Sequence, residues 1–352
     1  MKNSQPFLFA LSAGAVLAGC GGDSSGDASS QASTSFTLGV SDAAVDTANK
    51  VVLAFEDVVL VPFNPDTGEQ SGDPIAINVS NSGDLRKIDL MQYQGSQSET
   101  IINEQVVPPG DYALCVYAKD GKFLNDDSLS YVEKSDGSLK GLVVPSKGSC
   151  FGYKPNTSDQ GRLKFSQSDE FVRIDSGSNS YIVEFDLRKG LSDPQGLDYM
   201  LMNSNAVTLV NASVSGHIKG DVNLAQYQAC ETDSASLNAI NNVSAVHAVY
   251  LYSGVLSKAN MGDLGTTDPA LTEPLAVASV TEGTDSQGET VYSYEFGFID
   301  PGTYSLGYTC TAFVDDASSH ETAADGFQIY EDYSPIEVTS DNTTEQDITV
   351  VP

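Results

Sequence analysis

Tryptophan is absent from this chain, and only three histidines occur among its 352 residues. Positive charge is scarce as well: 17 Lys and Arg stand against 48 Asp and Glu, a formal net charge of −31. That imbalance argues against nucleic acid or anionic lipid as a binding partner, because both would be repelled. No apolar run reaches the roughly 18 residues that a membrane-spanning helix needs. No Cys-x2-Cys or His-x3-His spacing occurs, which leaves zinc without a ligand set. His-Glu-x2-His and the phosphate-cradling glycine loop are also missing. A serine nucleophile would need a histidine partner, and His217, His247 and His320 read as structural or solvated positions in strands and a loop.

What is present is the composition of a turn-rich β protein. Hydrophobic residues make up 40% of the chain, with 16 Tyr and 14 Phe, enough for real cores. Short apolar runs alternate with Ser, Thr, Gly, Asn and Asp. The amino terminus differs from the rest. An apolar stretch from Phe7 to Val16 leads into Leu17-Ala18-Gly19-Cys20, the pattern that bacterial lipoprotein processing recognises. Cleavage before Cys20 and acylation of that residue, palmitate included, are expected. Two or three acyl chains make a stable membrane anchor where one would be marginal. The net charge becomes −32 once Lys2 leaves with residues 1–19. Residues 20–35 then form the lipidated cysteine and a polar tether of roughly 20 Å typical span, and Gly21 suits passage to the outer membrane. A periplasmic or cell-surface location follows as the expectation.

Four further cysteines remain, Cys115, Cys150, Cys230 and Cys310. An exported protein meets an oxidising compartment, so an even number predicts disulfides. Three pairings are open. Cys115–Cys150 with Cys230–Cys310 is favoured because each bridge then stays within one expected domain. The runs Phe36-Thr37-Leu38-Gly39-Val40, Val51 to Val61 and Tyr112 to Tyr117 read as strands of a first domain over 36–210. Along the last of these, Tyr112, Leu114 and Val116 share one face and Cys115 takes the other. The glycine-rich excursion over 119–150 reads as a surface flap. A second domain over 211–352 shows cleaner alternation, with Tyr292, Tyr294, Phe296 and Phe298 on one face. The fold class is therefore all-β, two antiparallel β-sandwich domains behind a leader and tether.

Several of these residues carry a resemblance. Leu38-Gly39-Val40-Ser41-Asp42-Ala43, the Ile88-Asp89-Leu90 run, the Pro109-Gly110-x-Tyr112 turn and Phe185-Asp186-Leu187-Arg188-Lys189 resemble the bacterial lipoprotein family with domain of unknown function 4382. Ala44 stands where that family usually has proline. The second half, with Pro301-Gly302-x-Tyr304, is similar to the carboxypeptidase-regulatory-like, or transthyretin-like, β-sandwich. That resemblance extends to an accessory module and brings no peptidase site.

No catalytic constellation is recognisable, so a non-catalytic binding protein of the cell envelope is expected, with an extracellular or periplasmic ligand such as a polysaccharide. A carbohydrate-binding or polysaccharide-hydrolysing accessory protein using paired carboxylates is the alternative, and an envelope-assembly module a third. Tyr117, Tyr153, Tyr250 and Tyr252 are the aromatic rings a sugar could stack on, although strand tyrosines are usually core. No cofactor is expected. Calcium would need clustered loop oxygens, for which Asp42, Asp46, Asp126, Asp127, Asp315 and Asp316 are the weak candidates. None has D-x-D-x-D-G spacing, so turn capping for the first two and solvated loop charge for the rest are the plainer readings.

Overall fold

The computed structural model describes residues 34–43, 48–80, 83–123, 129–153, 160–163, 171–204, 206–241 and 244–349. Cys20, the leader, the tether up to residue 33, Asp46, Asp126 and Asp127 lie outside the described residues, while Thr34 and Ser35, expected as the end of the tether, begin the first strand, Thr34 pairing with Val107 and Ser35 with Ser178. The principal strands begin with β1 (Thr34–Ala43), β2 (Ala48–Asn64), β3 (Glu99–Val107), β4 (Gly110–Lys119), β5 (Tyr131–Lys134), β6 (Leu139–Val143), β7 (Ser178–Asp186) and β8 (Val207–Asn211). They continue with β9 (Gly216–Asp221), β10 (Ala248–Ser253), β11 (Ala276–Ser279), β12 (Thr281–Thr284), β13 (Thr290–Ile299), β14 (Gly302–Thr309), β15 (Glu331–Val338) and β16 (Thr343–Glu345). Helix α1 spans Leu187–Gly190 and α2 spans Leu224–Asp233.

Up to Asn211 the chain forms two sheets facing each other. One has the order β8-β7-β1-β3; the other is built around β2 and β4. β-branched and aromatic residues at alternate positions make this possible, because period two sends Leu38, Val40, Val183 and Phe185 inward together. They meet Leu53, Phe55, Leu60, Leu114 and Val116 of the opposing sheet in one core. β1 runs antiparallel to β3 but parallel to β7, pairing Leu38 with Tyr181 and Val40 with Val183. The all-β, antiparallel-rich expectation holds, with this parallel seam added.

The excursion after β4 is not merely a flap. β5 pairs with the amino-terminal part of β2, β6 pairs with β5, and Val132 and Leu142 are fully buried in the core. The reason is the length of β2: its 17 residues outrun β4, so its first turn of pairing needs another partner. Cys115 and Cys150 are bonded, and with Val59, Val61, Ala113 and Tyr117 they form a smaller cluster on the second face of that sheet.

From Gly216 onward a second sheet pair repeats the plan, with orders β12-β13-β9-β16 and β11-β10-β14-β15. Its core of Ile218, Val249, Leu251, Tyr294, Phe296, Leu306 and Ile336 shares no residue with the first. Cys230 is bonded to Cys310 within that core. Cys230 comes from α2, whose run contains neither Gly nor Pro and is capped by Asn223 accepting the Ala225 N–H at 2.9 Å. The alternation expected along β13 stops at Phe298. That residue takes φ +51° at a register shift, and Ile299 packs on the core beyond it. Both Pro-Gly-x-Tyr turns are built alike: Tyr112 and Tyr304 each donate a hydroxyl to the carbonyl four residues back, at 2.8 and 2.7 Å.

Candidate binding cleft between the sheet pairs

The first wall of the cleft follows from strand alternation in β7. Val183 and Phe185 point into the core, so Glu184 and Asp186 point out of it. Ser41 and Thr208 flank Glu184 in register on β1 and β8. Asp186 caps α1 by accepting the Lys189 N–H at 3.0 Å. Glu184 Oε2 and Asp186 Oδ2 are shut off from solvent without a hydrogen-bond partner. Burial, reinforced by the neighbouring Asp186 charge and opposed by the Ser41 hydroxyl, pushes the Glu184 carboxyl up to about 8. Burial also raises Asp186, against the pull of Lys189 and Arg188.

The second wall comes from β9, β11 and β13, and the space enclosed is about 930 Å³. Nine carboxylate side chains line it against two lysines, and both lysines are already engaged. Lys189 Nζ lies 2.8 Å from Glu273, and Lys219 Nζ lies 3.4 Å from Glu345. The cleft therefore holds a large excess of negative charge.

The two walls are held together by backbone approach and by α1. Arg188 donates to the Ala312 carbonyl at 3.3 Å, and Lys189 reaches Glu273 across the seam. A Cβ on Gly297 would lie 1.9 Å from the Gly95 carbonyl oxygen, and Gly95 itself takes φ +62° beneath the Glu295 side chain. Gly297→Ala is accordingly expected to cost about 1–3 kcal/mol of stability, read as a lower urea midpoint. An unchanged midpoint would show that the two strands of backbone part freely.

Residues 33–204 match the family model of a domain of unknown function, DUF4382. No curated protein matches the chain. Among solved structures, a candidate cell adhesion protein of Bacteroides fragilis NCTC 9343 is 7% identical, covering 88% of this chain and 92% of its own, at a TM-score of 0.20. A candidate adhesin of Bacteroides ovatus ATCC 8483 is 12% identical over 96% and 100% of the two chains, at a TM-score of 0.16. The fimbrial anchor protein Mfa2 of Porphyromonas gingivalis is 9% identical over 78% of each, at 0.13. Overlap that slight bears on neither the fold nor the function of this chain. The DUF4382 match includes Glu184, Asp186 and α1, but Thr208 and Val210 of the first wall lie past its end. The second wall lies beyond it.

The residues singled out in the sequence are distributed differently from expectation. Asp42 is no turn residue: it sits fully buried at the end of β1 opposite Phe185, where it lines the cleft, with its N–H donated to the Tyr93 carbonyl at 2.9 Å. Adjacent Asp315 and Asp316 part company. Asp316 accepts from the Ser318 N–H and hydroxyl in a local turn. Asp315 meets Asp263 and Glu321, with one oxygen of each lying within 4.8 Å of the others. Among the described residues these three could hold a cation, but the aspartate oxygens are in use. Asp263 accepts from His320 at 2.7 Å and from the Glu321 N–H; Asp315 accepts from the Tyr250 hydroxyl at 2.5 Å and the Leu264 N–H at 3.0 Å. Burial still raises Asp315 to about 6. Asp263 escaped the sequence reading because a lone aspartate between Gly262 and Leu264 looks like any turn residue.

Of the four tyrosines, Tyr117, Tyr250 and Tyr252 are fully buried. Tyr252 donates to the Gly262 carbonyl at 2.6 Å, so neither it nor Tyr250 is a stacking surface. His247 is enclosed between the Tyr227 ring, stacked at 3.5 Å, and the Tyr308 hydroxyl at 2.6 Å; burial lowers its pKa. His217 accepts from the Phe298 N–H at 3.2 Å. All three histidines thus serve local packing and hydrogen bonding. Glu184 and Asp186 were missed as site residues, although a Glu and an Asp two apart on one strand's outer face were there to be read.

Proposed function

We propose that this chain is a lipid-anchored protein of the bacterial outer membrane that binds a ligand or partner without transforming it, in the cleft between two β-sandwich domains meeting near residue 211. The observation that carries the binding reading is the 930 Å³ seam cleft lined by two carboxyls, each with one buried oxygen that has no partner. Structural carboxylates are normally hydrogen-bonded when buried, so two cleft-wall carboxyls that each keep one oxygen unpartnered are set up to turn toward a donor from outside. The anchor reading rests on Leu17-Ala18-Gly19-Cys20. Globomycin is expected to accumulate the uncleaved precursor in the native host, and labelled palmitate to be incorporated into the wild-type chain but not into Cys20→Ser. A Cys20→Ser protein that still took up palmitate would overturn lipidation at this residue.

A hydrolytic reading has one observation in its favour. Glu184, with its carboxyl at about 8, keeps its proton at neutral pH beside Asp186, as a general acid beside a second carboxylate would. Release of reducing ends from envelope polysaccharide, abolished by Glu184→Gln, would establish it. No release by the folded wild-type chain leaves the binding reading.

A further inference from the structure

The seam cleft also carries information about its ligand, on the reading that it is a binding site. Its volume of 930 Å³ far exceeds the need of one bare ion, so the occupant is organic. Its charge is one-sided, and both lysines on its walls are paired with Glu273 and Glu345, so the excess of carboxylates has no internal answer. At its first wall, Glu184 Oε2 and Asp186 Oδ2 are closed to water and lack hydrogen-bond partners. A group that reaches these carboxyls as they turn into the cleft must donate hydrogen bonds, and one that also answers the charge is a cation, whose arrival releases the proton that Glu184 keeps at neutral pH. A primary ammonium does both: it offers three donors and no acceptor. The walls are not wholly polar. Leu275 is 53% exposed and lines the cleft together with Val210 and Phe298, which suits an aliphatic stem behind the charge.

We propose that the seam cleft binds an organic cation that presents a primary ammonium on an extended aliphatic stem, with Glu184 and Asp186 accepting from the ammonium. A free polyamine and a lysine side chain of a peptide both have this chemistry. The carboxylates at the Asp263–Asp315–Glu321 cluster take no part, since their aspartate oxygens are occupied.

Calorimetric titration of the full chain in detergent tests this with three probes: spermidine, a short peptide containing Lys, and the same peptide with acetylated Lys. Spermidine or the Lys peptide should bind and the acetylated peptide should not, because acetylation removes the charge. Whichever of the first two binds more tightly identifies the source of the ammonium. Glu184→Gln and Asp186→Asn together should weaken binding roughly ten-fold or more. Circular dichroism and the urea midpoint verify that this variant is folded, and Glu184→Gln alone serves as a second variant should the pair not fold. Absence of heat with both amines overturns the proposal. So does binding that survives both substitutions, or equal affinity for the acetylated peptide. If an uncharged glycan binds instead and the same substitutions abolish it, the ammonium assignment fails while the cleft stands as the binding site.

Discussion

Replacing both Cys230 and Cys310 with serine should lower the stability of the protein by about 2–5 kcal/mol. The bridge joins residues 80 apart in sequence, so its loss frees a long loop in the unfolded chain. In the native state it also ties α2 to the end of β14. Little else holds that helix: Gln226 and Cys230 are its buried positions, and Tyr227 stacks between His247 and Tyr292. Serine would further leave two hydroxyls in a core of Ile218, Leu306 and Tyr308. The Cys115–Cys150 bridge spans 35 residues, and chain entropy alone makes it weaker by only about 0.7 kcal/mol. Urea titrations of the two double-serine variants against wild type measure both effects. A Cys230→Ser/Cys310→Ser midpoint equal to wild type would contradict the account of α2.

Glu184→Gln should stabilise the protein above neutral pH and leave it unchanged in acid. The folded carboxyl titrates near 8 and its ordinary value is 4.5. Between those values the unfolded chain gives up a proton that the native protein keeps, so ionisation favours unfolding. The contribution of Glu184 is thus fully present below pH about 4.5 and is lost as pH rises through about 8. At about 1.4 kcal/mol per unit, and allowing for partial access to the cleft, glutamine should gain about 2–4 kcal/mol at pH 8.5. The comparison must be made as a difference from wild type, because other groups titrate with the opposite sign. Lys134 and Lys140, for example, hold Asp193 low. Asp186 and Asp315, both raised by burial, act in the same direction as Glu184. A variant that tracks the wild-type stability curve from pH 4 to 8.5 would show that Glu184 is solvated in the folded state.

Much of the architecture was legible because period two is a strong signal. The face assignment of Tyr112, Leu114 and Val116 against Cys115 agrees with the two separate clusters in which they are found. Of the three connectivities open to the sequence, the favoured one is the one formed. The excursion over 119–150 differs from its surface-flap reading because composition describes a segment by its loops, whereas Val132 pairs where β2 outruns β4 and is buried with Leu142 in the core. Helix α2 is short and lies in a β context that periodicity alone does not announce. The cleft was illegible for a different reason. Glu184 and Asp186 belong to one sheet pair and Glu295 and Gly297 to the other, and no local pattern says that those faces meet. A carboxylate on the outer face of a strand looks solvated until a second wall is known to stand over it.

The central claim, that the seam is the binding site, is tested most directly by hydrogen–deuterium exchange on the full chain with and without spermidine or the Lys peptide. Slower exchange is expected in 184–190 of the first wall and in 293–300 of the second, with the loop around Asp263 unchanged. Protection confined to one sheet pair, or centred on the Asp263–Asp315–Glu321 cluster, would place the site elsewhere and contradict the account.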